Sequence, residues 1–121
     1  MSGLGQPGAD RPGTTTGLTL AAAQTVPLKG DVEANVASHM ALIQTASREQ
    51  ADVVVFPELS LTGYELDMAD ELAFSEDDTR LSPLRTMASL HQLTLVVGAP
   101  VRIGPLLHIG AFILSPDGSA A

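Results

Sequence analysis

The run Val53-Val54-Val55-Phe56-Pro57-Glu58-Leu59-Ser60-Leu61-Thr62-Gly63-Tyr64 changes character at its fifth residue. Four consecutive apolar residues, three of them β-branched, predict a short strand buried on both faces. Pro57 has no N–H to give a sheet ladder, so regular pairing is expected to end there. Glu58 is then the first charged side chain beyond the carboxyl end of a core strand, which is where open α/β sheets bind ligands. A carboxylate half removed from water at that point is pushed up toward the range useful for a general base. The same spacing also fits a solvated loop carboxylate that simply closes a strand.

The elements on either side fit a strand–helix–strand unit. Leu18-Thr19-Leu20-Ala21-Ala22-Ala23-Gln24-Thr25 reads as the first strand, followed by a loop punctuated by Pro27 and Gly30. Asp31 is a good helix cap, and Glu33 adds negative charge to the first turn. Val32, Val36, Met40 and Ile43 recur at helical spacing and predict a helix to about Gln50, with His39 at the edge of its apolar face. Such a crossover implies parallel strands. Ser82-Pro83 reads as a cap with proline at the first helical position. Leu84, Met87, Ala88 and His91 then give a stripe ending near Gln92. Leu93 to Gly98 is the third core strand, Val101 to Leu107 an edge and turn, and Leu107 to Leu114 the last strand.

Composition removes several classes of function. The 121 residues are 45% apolar, enough for one globular core, and no apolar run approaches the roughly 20 residues that span a bilayer. A net charge of −8 argues against nucleic acid or an anionic membrane as partner. No basic-then-apolar start suggests secretion, so a cytoplasmic location is expected. Zero cysteines exclude disulfides, thiolate metal sites and a thiol nucleophile within this sequence. Met1 to Gly17, with five glycines, two prolines and three consecutive threonines, reads as a disordered tail before a domain over 18–121. Seven of the fourteen carboxylates fall between Glu65 and Asp78, but without calcium-loop spacing. A solvated loop with a short helix is the reading there, and no metal or cofactor is called for.

Phe56-Pro57-Glu58-Leu59-Ser60-Leu61-Thr62-Gly63-Tyr64-Glu65 resembles the glutamate motif of the carbon–nitrogen hydrolase (nitrilase/amidase) family. The resemblance extends from the Ala-Gln pair ending the first strand, through Gly98-Ala99-Pro100, to the Pro116-Asp117-Gly118 turn. It implies an α/β fold: the first half of an α-β-β-α sandwich, mostly one sheet with two outer helices. It implies Glu58 as the general base of a Glu-Lys-Cys triad that cleaves a small amide or nitrile through a thioester. Tyr64 would line the substrate pocket or pack structurally. The family's Tyr-Asn-Ser-like opening of the last strand is replaced by His108-Ile109-Gly110, which puts any contact of that asparagine in doubt. Lys29, the sole lysine, has neither the position nor the neighbours of the family's lysine and reads as a solvated cation.

With one triad member of three, the chain is expected to be the amino-terminal, truncated part of such an enzyme and inactive alone. Half a sandwich also leaves an apolar sheet face open, so a homo-oligomer or other self-association is expected. The alternative is a binding or interaction module that kept the fold and lost the chemistry. A nucleotide-binding flavodoxin-like domain is the weakest reading, because no glycine-rich phosphate loop opens a helix.

Overall fold

A computed structural model describes residues 17–121, so most of the expected tail lies outside the described residues. Strand β1 (Leu20–Ala22) leads through a loop into helix α1 (Val32–Arg48) and then strand β2 (Val53–Val55). A short helix α2 (Ala69–Leu72) and two single turns of 3-10 helix, Leu66–Met68 and Thr79–Leu81, follow. Helix α3 (Ser82–His91) precedes a long hairpin of strands β3 (Thr94–Ile103) and β4 (Leu106–Leu114). The four strands form one sheet in the order β1-β2-β3-β4. β1 and β2 are parallel, as the crossover predicts; β3 joins parallel to β2, and β4 runs antiparallel to β3. This is the expected α/β architecture of one sheet with two main helices.

Local chemistry accounts for most boundaries. Asp31 caps α1 by accepting from the Ala34 N–H at 3.1 Å. The second helix begins one residue earlier than expected: Leu81 occupies the cap, Ser82 is helical and Pro83 sits inside the first turn. Asp78 instead caps the preceding 3-10 turn, accepting from the Arg80 N–H at 3.0 Å. Its side chain also takes two bonds from the Arg80 guanidinium, which hold its carboxyl down at about 2. Arg80 in turn lies 3.8 Å over the Phe74 ring.

The strand expected to stop at Gly98 continues through Pro100 to Ile103. Register explains why proline is tolerated there. The side of β3 that carries the Gly98 and Pro100 backbone groups meets an irregular segment instead of a strand. Leu61 N–H donates to Gly98 O at 2.9 Å and Phe74 N–H to Pro100 O at 2.8 Å. The donor that Pro100 lacks would point to that same side, and the regular ladder to β4, with Pro100 opposite Ile109, is untouched.

Both main helices cover one face of the sheet. Val36, Ile43 and Ala46 of α1 and Leu84, Met87 and Ala88 of α3 bury Val54, Leu95, Val97, Phe112 and Leu114. The opposite face is open. Leu20, Leu107, Ile109 and Ile113 are exposed there, with Ile109 at 52% and Ile113 at 44%. β2 was expected to be buried on both faces, yet Val53 and Val55 are only half-buried, because nothing among the described residues packs over them.

One close approach ties the irregular segment to the sheet. A Cβ on Gly98 would stand 2.4 Å from Leu59 N, 2.7 Å from Pro57 O and 3.0 Å from the Glu58 carbonyl carbon. All three are backbone atoms and cannot rotate away. At Gly110 a Cβ would meet only the Val101 methyl at 3.0 Å, which can. Gly98→Ala is therefore expected to cost about 1–3 kcal/mol in urea unfolding, and Gly110→Ala clearly less. Equal losses at the two positions would show that the approach at Gly98 is not the constraint.

Candidate functional site

β2 ends at Val55, and Phe56 N–H makes one more bond, to Val96 O at 2.8 Å, before Pro57 ends the pairing. The chain then folds into a compact turn. Ser60 N–H donates to Pro57 O at 3.1 Å, and Leu59 O accepts from Thr62 N–H at 3.2 Å and Gly63 N–H at 2.7 Å. Leu59 adopts a φ of 53°, costly for a branched side chain. The other two non-glycine residues with positive φ among the described residues, Gln50 and Gln92, lie at helix C-termini where that conformation is common. Leu59 sits instead beside the candidate base, and its buried side chain helps offset the strain.

Glu58 stands, as its sequence context predicts, at the carboxyl tip of β2. Its side chain is more open than expected: it is exposed, not half removed from water. Phe56, Pro57, Gly98, Ile109 and Ala111 line a shallow concavity beside it on the uncovered face of the sheet. Tyr64, 61% exposed, donates its hydroxyl to Glu58 Oε1. That hydrogen bond to the carboxylate, before any other cause, raises the Tyr64 phenol above its ordinary value. Lys29 pairs with Glu65 at 3.6 Å and does not reach Glu58. His108 is exposed on β4 and lines a second hollow with Thr62 and Glu65. Among the described residues no cluster of three His, Cys, Asp or Glu is arranged to hold a metal ion.

Beneath the turn lies a polar network that the helical periodicity did not show. Val32, Val36, Met40 and Ile43 put His39 at an edge, whereas the buried residues of α1 are Asn35, Val36, His39, Ile43 and Ala46. His39 is fully buried and stacked on Phe56, with ring centroids 4.1 Å apart. Its Nδ1 is 2.6 Å from Asn35 O, which can only accept, so Nδ1 carries the proton. Nε2 therefore accepts from Ser60 Oγ at 2.8 Å, and Ser60 Oγ accepts from Gly98 N–H at 3.2 Å. Asn35 extends the network, donating Nδ2 to Leu28 O at 2.9 Å and Leu61 O at 3.0 Å. Helix, turn and central strand are thus joined through one neutral imidazole. The available signal was a histidine seven residues after Val32 on a 3.5-residue stripe, with a serine two residues past Glu58.

Burial outweighs the hydrogen bond to Asn35 and pushes His39 down to about 4. In the unfolded chain the imidazole takes up its proton from about pH 6.5, so between the two values the unfolded state binds more protons. Stability is therefore expected to fall as pH drops through that window, by up to about 3 kcal/mol, and to level off below it. Chemical unfolding of wild type and His39→Gln at pH 7 and pH 5 reads this directly. The variant should lose the part of the slope that comes from the imidazole; parallel profiles would count against a buried neutral His39.

Comparison with known proteins places this geometry. The glutamine-dependent NAD(+) synthetases of Mycobacterium bovis and Mycobacterium tuberculosis are 37% identical over 76 residues, which is 60% of this chain and 11% of theirs. An amidase from a Nesterenkonia species superposes with a TM-score of 0.72 at 21% identity, over 86% of this chain and 40% of that one. A CN-hydrolase superfamily protein from Xanthomonas campestris, with an arsenic adduct in its active site, gives 0.71 at 21%, over 81% and 36%. At those identities the superpositions establish the fold. The chain spans only a fraction of each relative. Residues 19–121 match the carbon-nitrogen hydrolase family throughout, and the chain belongs to that family.

Proposed function

We propose that Glu58 is the general base of an amide-hydrolysing site whose nucleophile comes from outside these 121 residues. The position of Glu58 at the tip of β2, beside a hollow on the open sheet face, is the observation that supports it. In the proposed reaction Glu58 takes the proton of a cysteine thiol, and the thiolate adds to the carboxamide carbon. Collapse expels the amine, which leaves with the proton from Glu58, and water cleaves the thioester with the same carboxylate as base. A cationic group must offset the charge on the carbonyl oxygen. Lys29 is engaged by Glu65, so that cation too is external. An amidase and glutamine-dependent synthetases among the relatives favour a carboxamide substrate; a nitrile would follow the same addition. A mutant of the Nesterenkonia amidase shows covalent addition of the acetamide moiety of fluoroacetamide at its active-site cysteine, which supports a cysteine as the reactive nucleophile in such a site. Tyr64 rims the same mouth, within reach of whatever Glu58 acts on.

The 121-residue chain is expected to release no ammonia from simple carboxamides. Joined to a polypeptide that supplies the cysteine, it should turn them over, and Glu58→Gln should lower kcat by about 10²–10⁴. Turnover by the chain alone would overturn the external nucleophile, and full activity in the joined Glu58→Gln protein would overturn the base.

The open apolar face favours a second reading, a binding module that self-associates or docks on a larger relative. Light scattering should then show concentration-dependent association that Ile109→Lys with Ile113→Lys abolishes. A chain that stays monomeric at every concentration would oppose it.

A further inference from the structure

We infer that Tyr64 is a positioning residue for Glu58: its hydroxyl holds Oε1 of the carboxylate and leaves Oε2 to receive a proton. This rests on the reading of Glu58 as a base and goes beyond it by assigning the group that fixes its orientation.

The backbone delivers Tyr64 to this place. Leu59 at φ 53° and Gly63 at φ +81° shape a tight turn closed by the Gly63 N–H on Leu59 O, and the residue six positions after Glu58 reaches its carboxylate. The phenol ring is mostly in water and contributes little to the core; its hydroxyl is engaged by the carboxylate. Among the described residues, Oε2 takes no hydrogen bond and no cation competes for Glu58. Lys29 is held by Glu65, while Arg80 and Arg102 are paired with Asp78 and Asp70. Glu65, next in the chain, and His108, across the neighbouring hollow, are the other titratable groups near this mouth.

A phenol suits this task for a physical reason. A lysine or arginine would fix the carboxylate by opposing its charge and so blunt it as a base. A neutral hydroxyl donor fixes one oxygen without supplying a full positive charge. When Oε2 accepts the proton, Oε1 becomes the carbonyl oxygen and still accepts from Tyr64, so the contact survives both protonation states. The carboxylate raises the phenol in return, so the donor holds its proton more firmly than a free tyrosine does.

The chain has one tyrosine and no tryptophan, so phenolate absorbance in an alkaline titration reports Tyr64 alone. The wild-type midpoint is expected above about 10, with a clear downward shift in Glu58→Gln and a smaller one in Glu65→Gln. Coincident curves for wild type and Glu58→Gln, or an equal shift in Glu65→Gln, would overturn the contact. Tyr64→Phe should loosen the Glu58 side chain, read as a lower NMR order parameter at its γ-methylene, while the amide shifts of β2 and β3 and the Tm stay put. An unchanged order parameter would overturn the positioning role. None of these measurements reads turnover, so their failure removes Tyr64's role and leaves the base to the ammonia assay.

Discussion

The absence of a side chain at Gly98 lets the backbone of Pro57 to Leu59 lie directly against β3, nearer than any Cβ would allow. The rest of the site follows from that contact. With β2 ended by Pro57, the turn takes over the place beside β3 that a longer strand would have filled. Leu61 N–H and Ser60 Oγ serve the Gly98 carbonyl and N–H in turn. The sheet edge is therefore satisfied without a strand, and the chain is free to turn a carboxylate outward instead of continuing the ladder. A methyl group at position 98 would separate the two backbones, and Ser60 could not keep both its partners.

The buried network fixes the turn from the other side. Each bond contributes on the order of 1 kcal/mol net, but leaving a buried group unpaired costs about 1–3 kcal/mol, so the members stand or fall together. The tautomer of His39 follows from this, since Asn35 O accepts only and Ser60 must then donate. A protonated ring would place two donors against Ser60, whose hydroxyl would have to reverse, and would leave a charge against Phe56 in the core. Electrostatics and geometry agree on a neutral ring. The family resemblance alone gave no reason to look for it, because the network lies under the glutamate and not at it.

Much of this was legible in the residues. β-Branched runs, the Asp31 cap and the intervening helix pattern located the first three strands and made the first two parallel, because burial and hydrogen bonding of single elements are local matters. Glu58 was found because Pro57 marks a strand end by its chemistry. The third strand was expected to end at Gly98, yet it runs on through Pro100 to Ile103. Whether a missing N–H matters depends on which neighbour it faces, and that is a property of the sheet. His39 was misplaced because Met40 fits an apolar stripe as well as Val36 does, and only the position of the sheet decides the phase. Neither Ser60 nor Gly98 announces in the sequence that it meets the other. Their meaning lies in a contact between residues thirty-eight apart.

The open sheet face and the exposed carboxylate have a common cause. The hollow beside Glu58 is lined by Ile109 and Ala111, which belong to the same uncovered face as Ile113 and Leu107. A surface that packs on those side chains to hide them from water must also border Glu58. Desolvation disfavours the ionised carboxylate and strengthens whatever hydrogen bonds it keeps, so covering the face would also raise the proton affinity that the proposed base requires. The phenol of Tyr64 is already in contact before the face is covered. Its hydrogen bond would gain most from the loss of water, since a donor to a desolvated carboxylate is worth more than one that competes with solvent. For the proposed base, the contact with Tyr64 would set the orientation of Glu58 in advance, and its basicity would depend on whatever surface covers the sheet.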